Sequence, residues 1–261
     1  MTTLHTLASG SSGNAALLSH NGTSVLLDAG ISCRRIRTAL RAMDLDLPDL
    51  SAIFITHTHS DHISGMQTLV KNCDVPIYAS RRTCADLEYR IAGIAPRLRP
   101  VEMESTFAVG AFSVTPFPTS HDAPGSAGYR FDDVGVLTDS GYVTEPAHQV
   151  LSGCSLLVLE ANHDVDRLRS GPYPYFLKRR ILGSEGHLSN EAAAEFAVEL
   201  AASGTQEFLL AHLSAENNTP ELAFDAVSDA LHAAGLTPRL SVAPRSATSG
   251  RFQTEGSLCR E

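Results

Sequence analysis

Apolar residues along this chain follow two rhythms. Short runs bounded by Gly, Ser, Asn and Asp alternate with stretches whose apolar positions recur every three or four residues. The short runs predict strands over His5–Leu7, Ala15–Ser19 and Ser24–Asp28, separated by SGSSGN and HNGT. SAIFITH, VPIYAS, CSLLVLEA, QEFLLAH and RLSVAP predict further strands, and FAVGAFSVTPFPTSH, AGYRF and VGVLTDSG form a β-rich middle. The helical rhythm falls on SCRRIRTALRAM with Ser32 as N-cap, RRTCADLEYRIAG, a stretch near EPAHQVLSG, YPYFLKRRIL and a run from Ser189. TPELAFDAVSDALHAAG closes the series, with Thr219 as N-cap, Pro220 at the first position and Gly235 past the end.

Strands and helices alternate throughout, with no Pro- or Gly-rich linker. This predicts one α/β domain over residues 1–247 and a flexible tail over 248–261. The 261 residues carry a net charge of −9, from 20 basic and 29 acidic side chains, which argues against a broad basic face that grips nucleic acid. It leaves open a polyanion held locally at bound cations. Five scattered cysteines, none spaced CxxC, predict reduced thiols in a cytoplasmic protein. Cys33 stands in a loop to which no role attaches. There is no evident signal peptide and no apolar run of the ~18–20 residues a membrane span needs. A homo-oligomer is left open.

The chemistry concentrates in ITHTHSDHISG. The apolar IFIT ends in His57, His59, Asp61 and His62, four ligand-type side chains where a strand gives way to a loop. Alternation along an extended chain puts His57 and His59 on one side, within reach of one ion. Asp61 and His62 lie past the turn, within reach of a second. Imidazole and carboxylate together suit zinc, iron or manganese. Other single polar residues follow apolar strands: His121 in TSHDA, Asp139 in VLTDSG and His212 in LLAHLS. Strand exits are where open α/β sheets build their sites.

These residues resemble the HxHxDH…H…D…H pattern of the metallo-β-lactamase-fold hydrolases. LASGSSGN, THTHSDHISG, SHDAPGSAGYRF, LTDSGYVT, LEANHD, RILGSEGHLSN and LAHLSAENNTPELA narrow the resemblance to the YycJ/WalJ-like branch. It implies an αββα sandwich of two packed mixed sheets flanked by helices, with two divalent metal ions, zinc or manganese, at one edge. The first ion would take His57, His59 and His121, and the second Asp61, His62 and His212, with Asp139 bridging. Asp28 in VLLDAG would orient a ligand, or simply cap its turn. The branch implies hydrolysis of DNA, as a 5′-to-3′ exonuclease. The metal pattern alone leaves a glyoxalase-II-like thioesterase as the alternative. In either case two cations ~3.5–4 Å apart would make a hydroxide nucleophile from the water between them. Asp61 could orient that water.

GHLSN at 186–190 bears on the choice. With His212 as the last ligand, His187 is left for another task, just before a helix capped by Ser189 or Asn190. In the related tRNase Z enzymes a His in such a place works with a Glu from an earlier strand end, which Glu160 resembles. His187 would then protonate the leaving oxygen, a step a phosphodiester needs. Free N–H groups at that helix start would make Ser189 and Asn190 substrate contacts. His163 would touch substrate or fix its loop. Arg179, in the basic triplet Lys178–Arg180, would guide a nucleic-acid backbone or sit on a solvated face. SGSSGN predicts a tight turn, with a side role for Ser11 or Asn14 at the site.

Overall fold

The structure, a computed structural model, describes residues 1–254. Cys259 and the rest of 255–261 lie outside the described residues. The chain opens with β1 (Thr2–Ala8), β2 (Ala15–His20), β3 (Thr23–Leu27), α1 (Cys33–Arg41) and β4 (Ala52–Phe54). Two single turns, α2 (Ser60–Ile63) and α3 (Met66–Leu69), precede β5 (Ile77–Ser80), α4 (Arg81–Arg90) and β6 (Leu98–Val101). The second half runs β7 (Phe107–Val109), β8 (Phe112–Pro118), β9 (Ala127–Phe131), β10 (Val134–Leu137), α5 (Glu145–Leu151) and β11 (Leu156–Glu160). It ends with α6 (Val165–Ser170), α7 (Tyr175–Ile181), α8 (Asn190–Ala202), β12 (Glu207–Ala211), α9 (Pro220–Ala233), β13 (Arg239–Val242) and β14 (Phe252–Gln253).

Among the described residues the strands form two seven-stranded sheets, β14-β1-β2-β3-β4-β5-β6 and β13-β12-β11-β10-β9-β8-β7. In the first, β1 to β3 are antiparallel and β3 to β6 parallel. In the second, β7 to β10 are antiparallel and β10 to β13 parallel. The parallel strands are apolar without interruption because both faces are covered. In β3, Val25 and Leu27 enter the core between the sheets while Leu26 packs under the helices of the first half. In β11, Leu156 and Val158 face the other sheet and Leu157 and Leu159 face the second helical layer. The result is the layering expected of an αββα sandwich.

The inter-sheet core locks β4, the strand that leads to His57, in place. Phe54 lies 5.1 Å from the ring of Tyr78 and 5.0 Å, edge-on, from that of Phe131. Truncating such a ring costs about 3–5 kcal/mol. The buried Tyr129 hydroxyl donates to Ile55 O (3.0 Å), and Ala127 N donates to Thr56 O (3.1 Å). The second sheet thus holds the strand exit that leads into His57.

Ser32 and Thr219 cap their helices as expected, accepting from Arg35 N (3.3 Å) and Leu222 N (3.2 Å). Two expectations change. Cys33 is not in a loop but opens α1, buried in the core of the first half. Part of the tail expected to fray is docked: β14 pairs antiparallel with β1, and Ser249 N and Thr254 N donate to Thr6 O and Thr2 O. The open edge of β1 supplies backbone partners that outweigh the low apolar content of the segment.

Candidate active site and metal centre

The first sheet contributes one continuous turn. Residues 55–59 leave β4 extended, and α2 then turns Asp61 and His62 back over the same spot. The turn is held from behind by Asp28, whose backbone is in the left-handed region at φ +58°. Asp28 Oδ1 accepts from Thr56 N (2.9 Å), and Oδ2 accepts from the Thr56 hydroxyl (2.9 Å) and His62 Nδ1 (2.8 Å). Thr56 Oγ1 is also 3.0 Å from His57 Nδ1. The N-terminal loop closes the other side: Asn14 N and Nδ2 donate to Asp61 O, and Nδ2 to His62 Nε2 (3.0 Å). This approach depends on Gly30, where a Cβ would stand 1.6 Å from Asp61 O.

The second sheet contributes one residue per strand exit. His121 follows β8, Asp139 follows β10, Glu160 ends β11 and His212 follows β12. Asp139 and His212 both adopt left-handed backbone, at φ +59° and +58°. Glu160 is fully buried and all its capacity is used. Oε1 accepts from His187 Nδ1 (2.8 Å) and His212 Nδ1 (3.0 Å), and Oε2 from Ser140 N and Leu188 N (both 3.1 Å). The loop before α8 also holds His121, whose Nδ1 donates to Gly186 O (2.9 Å).

Each of the five imidazoles expected as ligands therefore has one nitrogen secured from outside. Thr56 holds His57, Asp28 holds His62, Gly186 O holds His121 and Glu160 holds His212. Asp122 Oδ1 stands 3.4 Å from His59 Nε2. The other nitrogens converge. His59 Nδ1 and His121 Nε2 are 3.2 Å apart, and His212 Nε2 is 3.4 Å from Asp61 Oδ2. Asp139 lies between, with Oδ2 3.3 Å from His62 Nε2 and Oδ1 3.6 Å from His212 Nε2. Outer partners of this kind fix which nitrogen of a ligand faces a metal.

The electrostatics fit cations at this point. Burial opposes charge on His212, but Asp139, Asp61 and Glu160 outweigh it and raise its pKa to about 10. His62 moves up in the same way, against its burial, through Asp139 and Asp28. His57 moves down through burial and the neighbouring rings. The buried carboxylates thus draw positive charge to themselves. Two buried atoms that face the centre, His57 Nε2 and Asp139 Oδ2, have no hydrogen-bond partner. Donor atoms of His57, His59 and His121 lie within 4.8 Å of one another, as do those of Asp61, His62 and His212. A further cluster, Asp139, Glu160, His187 and His212, meets the same distance, but both oxygens of Glu160 are already engaged. A cavity of about 390 Å³ opens over the centre, with Asp61, Asp139, His187 and His212 in its wall.

The profile of the Beta-lactamase superfamily domain matches residues 23–213. The chain belongs to the metallo-β-lactamase superfamily. Within this superfamily it is 37% identical over 240 residues to "Exodeoxyribonuclease YycJ" of Bacillus anthracis, covering 88% of this chain and 89% of that protein. It is 40% identical over 224 residues to "Exodeoxyribonuclease WalJ" of Streptococcus pneumoniae (strain D39), covering 83% of each. Among solved structures, the metallo-β-lactamase fold protein YhfI of Bacillus subtilis superposes with a TM-score of 0.73 at 17% identity, over 96% of this chain and all (100%) of that one. The YycJ/WalJ branch named by the sequence motifs is the branch these relatives occupy.

In this metallo-β-lactamase site, the residues expected to touch substrate divide. Arg179 is exposed on α7. Ser189, Asn190 and His163 are absent from the cavity wall, and the expectation for them changes. Ser189 Oγ accepts from Ala192 N (3.2 Å) as the cap of α8. Asn190 is buried, its amide paired in both directions with Asn218 (3.0 and 2.8 Å). His163 is buried with neither ring nitrogen paired, and burial lowers its pKa to about 4. Its carbonyl accepts from Asn190 N (2.9 Å), so it fixes the loop. The N–H groups that looked free for an anion are thus partly spent on the protein itself.

SGSSGN is more than a turn. Ser9 Oγ accepts from His212 N (2.9 Å), Ser11 lines the cavity and Asn14 reaches the metal turn. Thr56 and Asp122 carry no sequence signal of their own beyond adjacency to His57 and His121. Arg180 and Tyr173, also in the cavity wall, lie far from every ligand in sequence.

Proposed function

We propose that the chain is a dinuclear-metal-dependent phosphodiesterase that degrades DNA as a 5′-to-3′ exonuclease. That it is a hydrolase of the nuclease and phosphodiesterase kind follows from its family and its relatives. The arrangement behind His187 supports the finer reading best. Glu160 Oε1 holds Nδ1 of both His187 and His212, which leaves His187 Nε2 as its open nitrogen at the cavity.

His57, His59 and His121 would hold one divalent cation, zinc or manganese, and Asp61, His62 and His212 the other, with Asp139 between them. Such a pair supplies an activated water and neutralises the non-bridging phosphate oxygens. Asp61 accepts a hydrogen bond from the water and aims it at phosphorus. As the bond from phosphorus to the sugar oxygen breaks, His187 Nε2 gives that oxygen its proton. Glu160 keeps the imidazole turned toward the leaving group. A thioester leaves as a stable thiolate and has no use for such an acid. The four described cysteines are unpaired, which supports action in the reducing cytoplasm.

His187→Ala is the direct test. Turnover on DNA should fall ~10²–10⁴-fold, the range for a lost general acid. The loss on bis-p-nitrophenyl phosphate should be smaller, because p-nitrophenolate leaves unprotonated. Elemental analysis should still find two ions per chain; loss of one would make His187 a ligand. Release of mononucleotides from 5′- before 3′-labelled strands tests polarity, and a thioester assayed alongside should be inert.

A further inference from the structure

The last turn before the GHLSN loop is unlike the rest of this acidic surface. Residues 173–180 read YPYFLKRR, three aromatic rings followed by three cations. They do different things. Tyr173, just before α7, and Leu177 and Arg180 on it line the cavity. Tyr175 and Phe176 are 76% and 73% exposed, neighbouring rings left in solvent at the start of the helix whose other side lines the cavity. The Arg179 guanidinium stands 5.9 Å from the Tyr175 ring centre. Lys178 is taken up by structure, its Nζ donating to Arg169 O and Gly171 O (both 2.7 Å). Arg180 is forked onto Asp122, its Nη2 3.1 Å from Oδ1, and Asp122 in turn faces His59. That pair holds Arg180 in the cavity wall.

We propose that α7 is a stacking platform for single-stranded DNA that runs out of the cavity. The inference rests on the nuclease reading above and adds the strand form and its contacts. Bases stack on Tyr175 and Phe176, Arg179 takes a phosphate outside, and Arg180 takes a phosphate at the rim. Rings of this kind bind any base through its face but need that face unstacked, which a single strand offers and a duplex does not. Charge argues for a polyanion over a second copy of the chain. An isologous dimer on this helix would bring Arg179 and Arg180 of one copy against the same pair of the other. In a chain with a formal net charge of −9, cations beside exposed rings on a helix that also lines the cavity match a nucleic-acid strand.

The test is binding of a fluorescein-labelled, phosphorothioate-linked oligothymidylate to the metal-loaded full chain, read by anisotropy. The Tyr175→Ala/Phe176→Ala double variant, checked by thermal melt and metal content, should bind about tenfold or more weakly. Tyr175→Phe/Phe176→Tyr, which keeps both rings, should bind like wild type. Arg179→Ala should lower the slope of log K against log salt by about 0.7, as for one phosphate contact on a single strand. If wild type binds and cuts DNA but the double alanine variant binds as well as wild type, the platform is wrong and the nuclease reading stands. If wild type hydrolyses bis-p-nitrophenyl phosphate yet neither binds nor cuts DNA, both fall. A dimer in sedimentation that the double variant converts to monomer makes this face a contact between copies and overturns the platform.

Discussion

The first sheet hands its candidate ligands over as one tight turn, His57 to His62, whereas the second hands over one site residue from each of four strand exits, three candidate ligands and Glu160, which holds two histidines. The first arrangement needs little beyond a strand, a turn and the Asp28–Thr56 bracket. The second exists only when β8, β10, β11 and β12 lie in register. Both halves carry left-handed backbone, at Asp28 in the first and at Asp139 and His212 in the second, which few non-glycine residues adopt without surrounding constraint. The local half of the site is thus closed by near neighbours, and the distributed half ties the candidate ligand His212 to His187 in the cavity wall through Glu160.

Removing Asp139 should break this division most sharply. It stands between the two ligand groups, so Asp139→Ala should lower metal content below two ions per chain. Phosphodiesterase turnover should fall by more than the ~100-fold that marks the upper end for a ligand's hydrogen-bond partner. A variant that keeps both ions and its turnover would show that the halves do not meet at Asp139.

The two outer carboxylates give a paired test. Asp28→Asn acts on the first half alone and should weaken metal binding ~10–100-fold in a chelator competition. Glu160→Gln acts on His187 and His212 together, so it should lower turnover as well as affinity. Its pH dependence has a definite sign. Burial opposes the Glu160 carboxylate, but His187 and His212 prevail and lower its pKa to about 2, from 4.5. The stabilisation is complete above pH 4.5 and is lost as pH falls toward 2. Metal-free wild type and Glu160→Gln should therefore differ in stability at neutral pH and converge in acid.

A smaller effect belongs to the scaffold of the second half. Asn190→Ala removes two hydrogen bonds of the buried Asn218 amide, leaving those with Ala161 O and Thr219 N, and should destabilise the fold by ~1–3 kcal/mol in denaturant melts. Smallest is a difference expected to be nil. Burial pushes the thiols of Cys84, in the first half, and Cys154, in the second, to about 11. Both should resist iodoacetamide at pH 8 in the native protein, and preferential labelling of one would reveal a looser half.

How much of this could be read in advance follows the same split. His57, His59, Asp61 and His62 announce themselves because their partners are neighbours in sequence. His121, Asp139, Glu160 and His212 are single polar residues after apolar runs, individually weak, and become legible through family resemblance. Thr56, Asn14 and Asp122 are ordinary polar residues whose role is a contact made across the fold. Ser189 and Asn190 show the same limit: a helix start offers free N–H groups in sequence, and only packing shows that Ser189 itself and the carbonyl of His163 accept from two of them.

By itself, then, the sequence determined the alternation of strands and helices, the apolar parallel strands, the turn that carries the candidate ligands His57 to His62, and the family, since all of these depend on periodicity and on near neighbours. Tertiary structure decided which nitrogen of each histidine faces the centre, and that Glu160 serves two histidines at once. It also decided that the tail closes an edge of the first sheet and that α7 lines the cavity with Leu177 and Arg180 while its rings stay in solvent. Each of these is a contact between residues distant in the chain, set by the register of strands and by buried polar groups that must find partners.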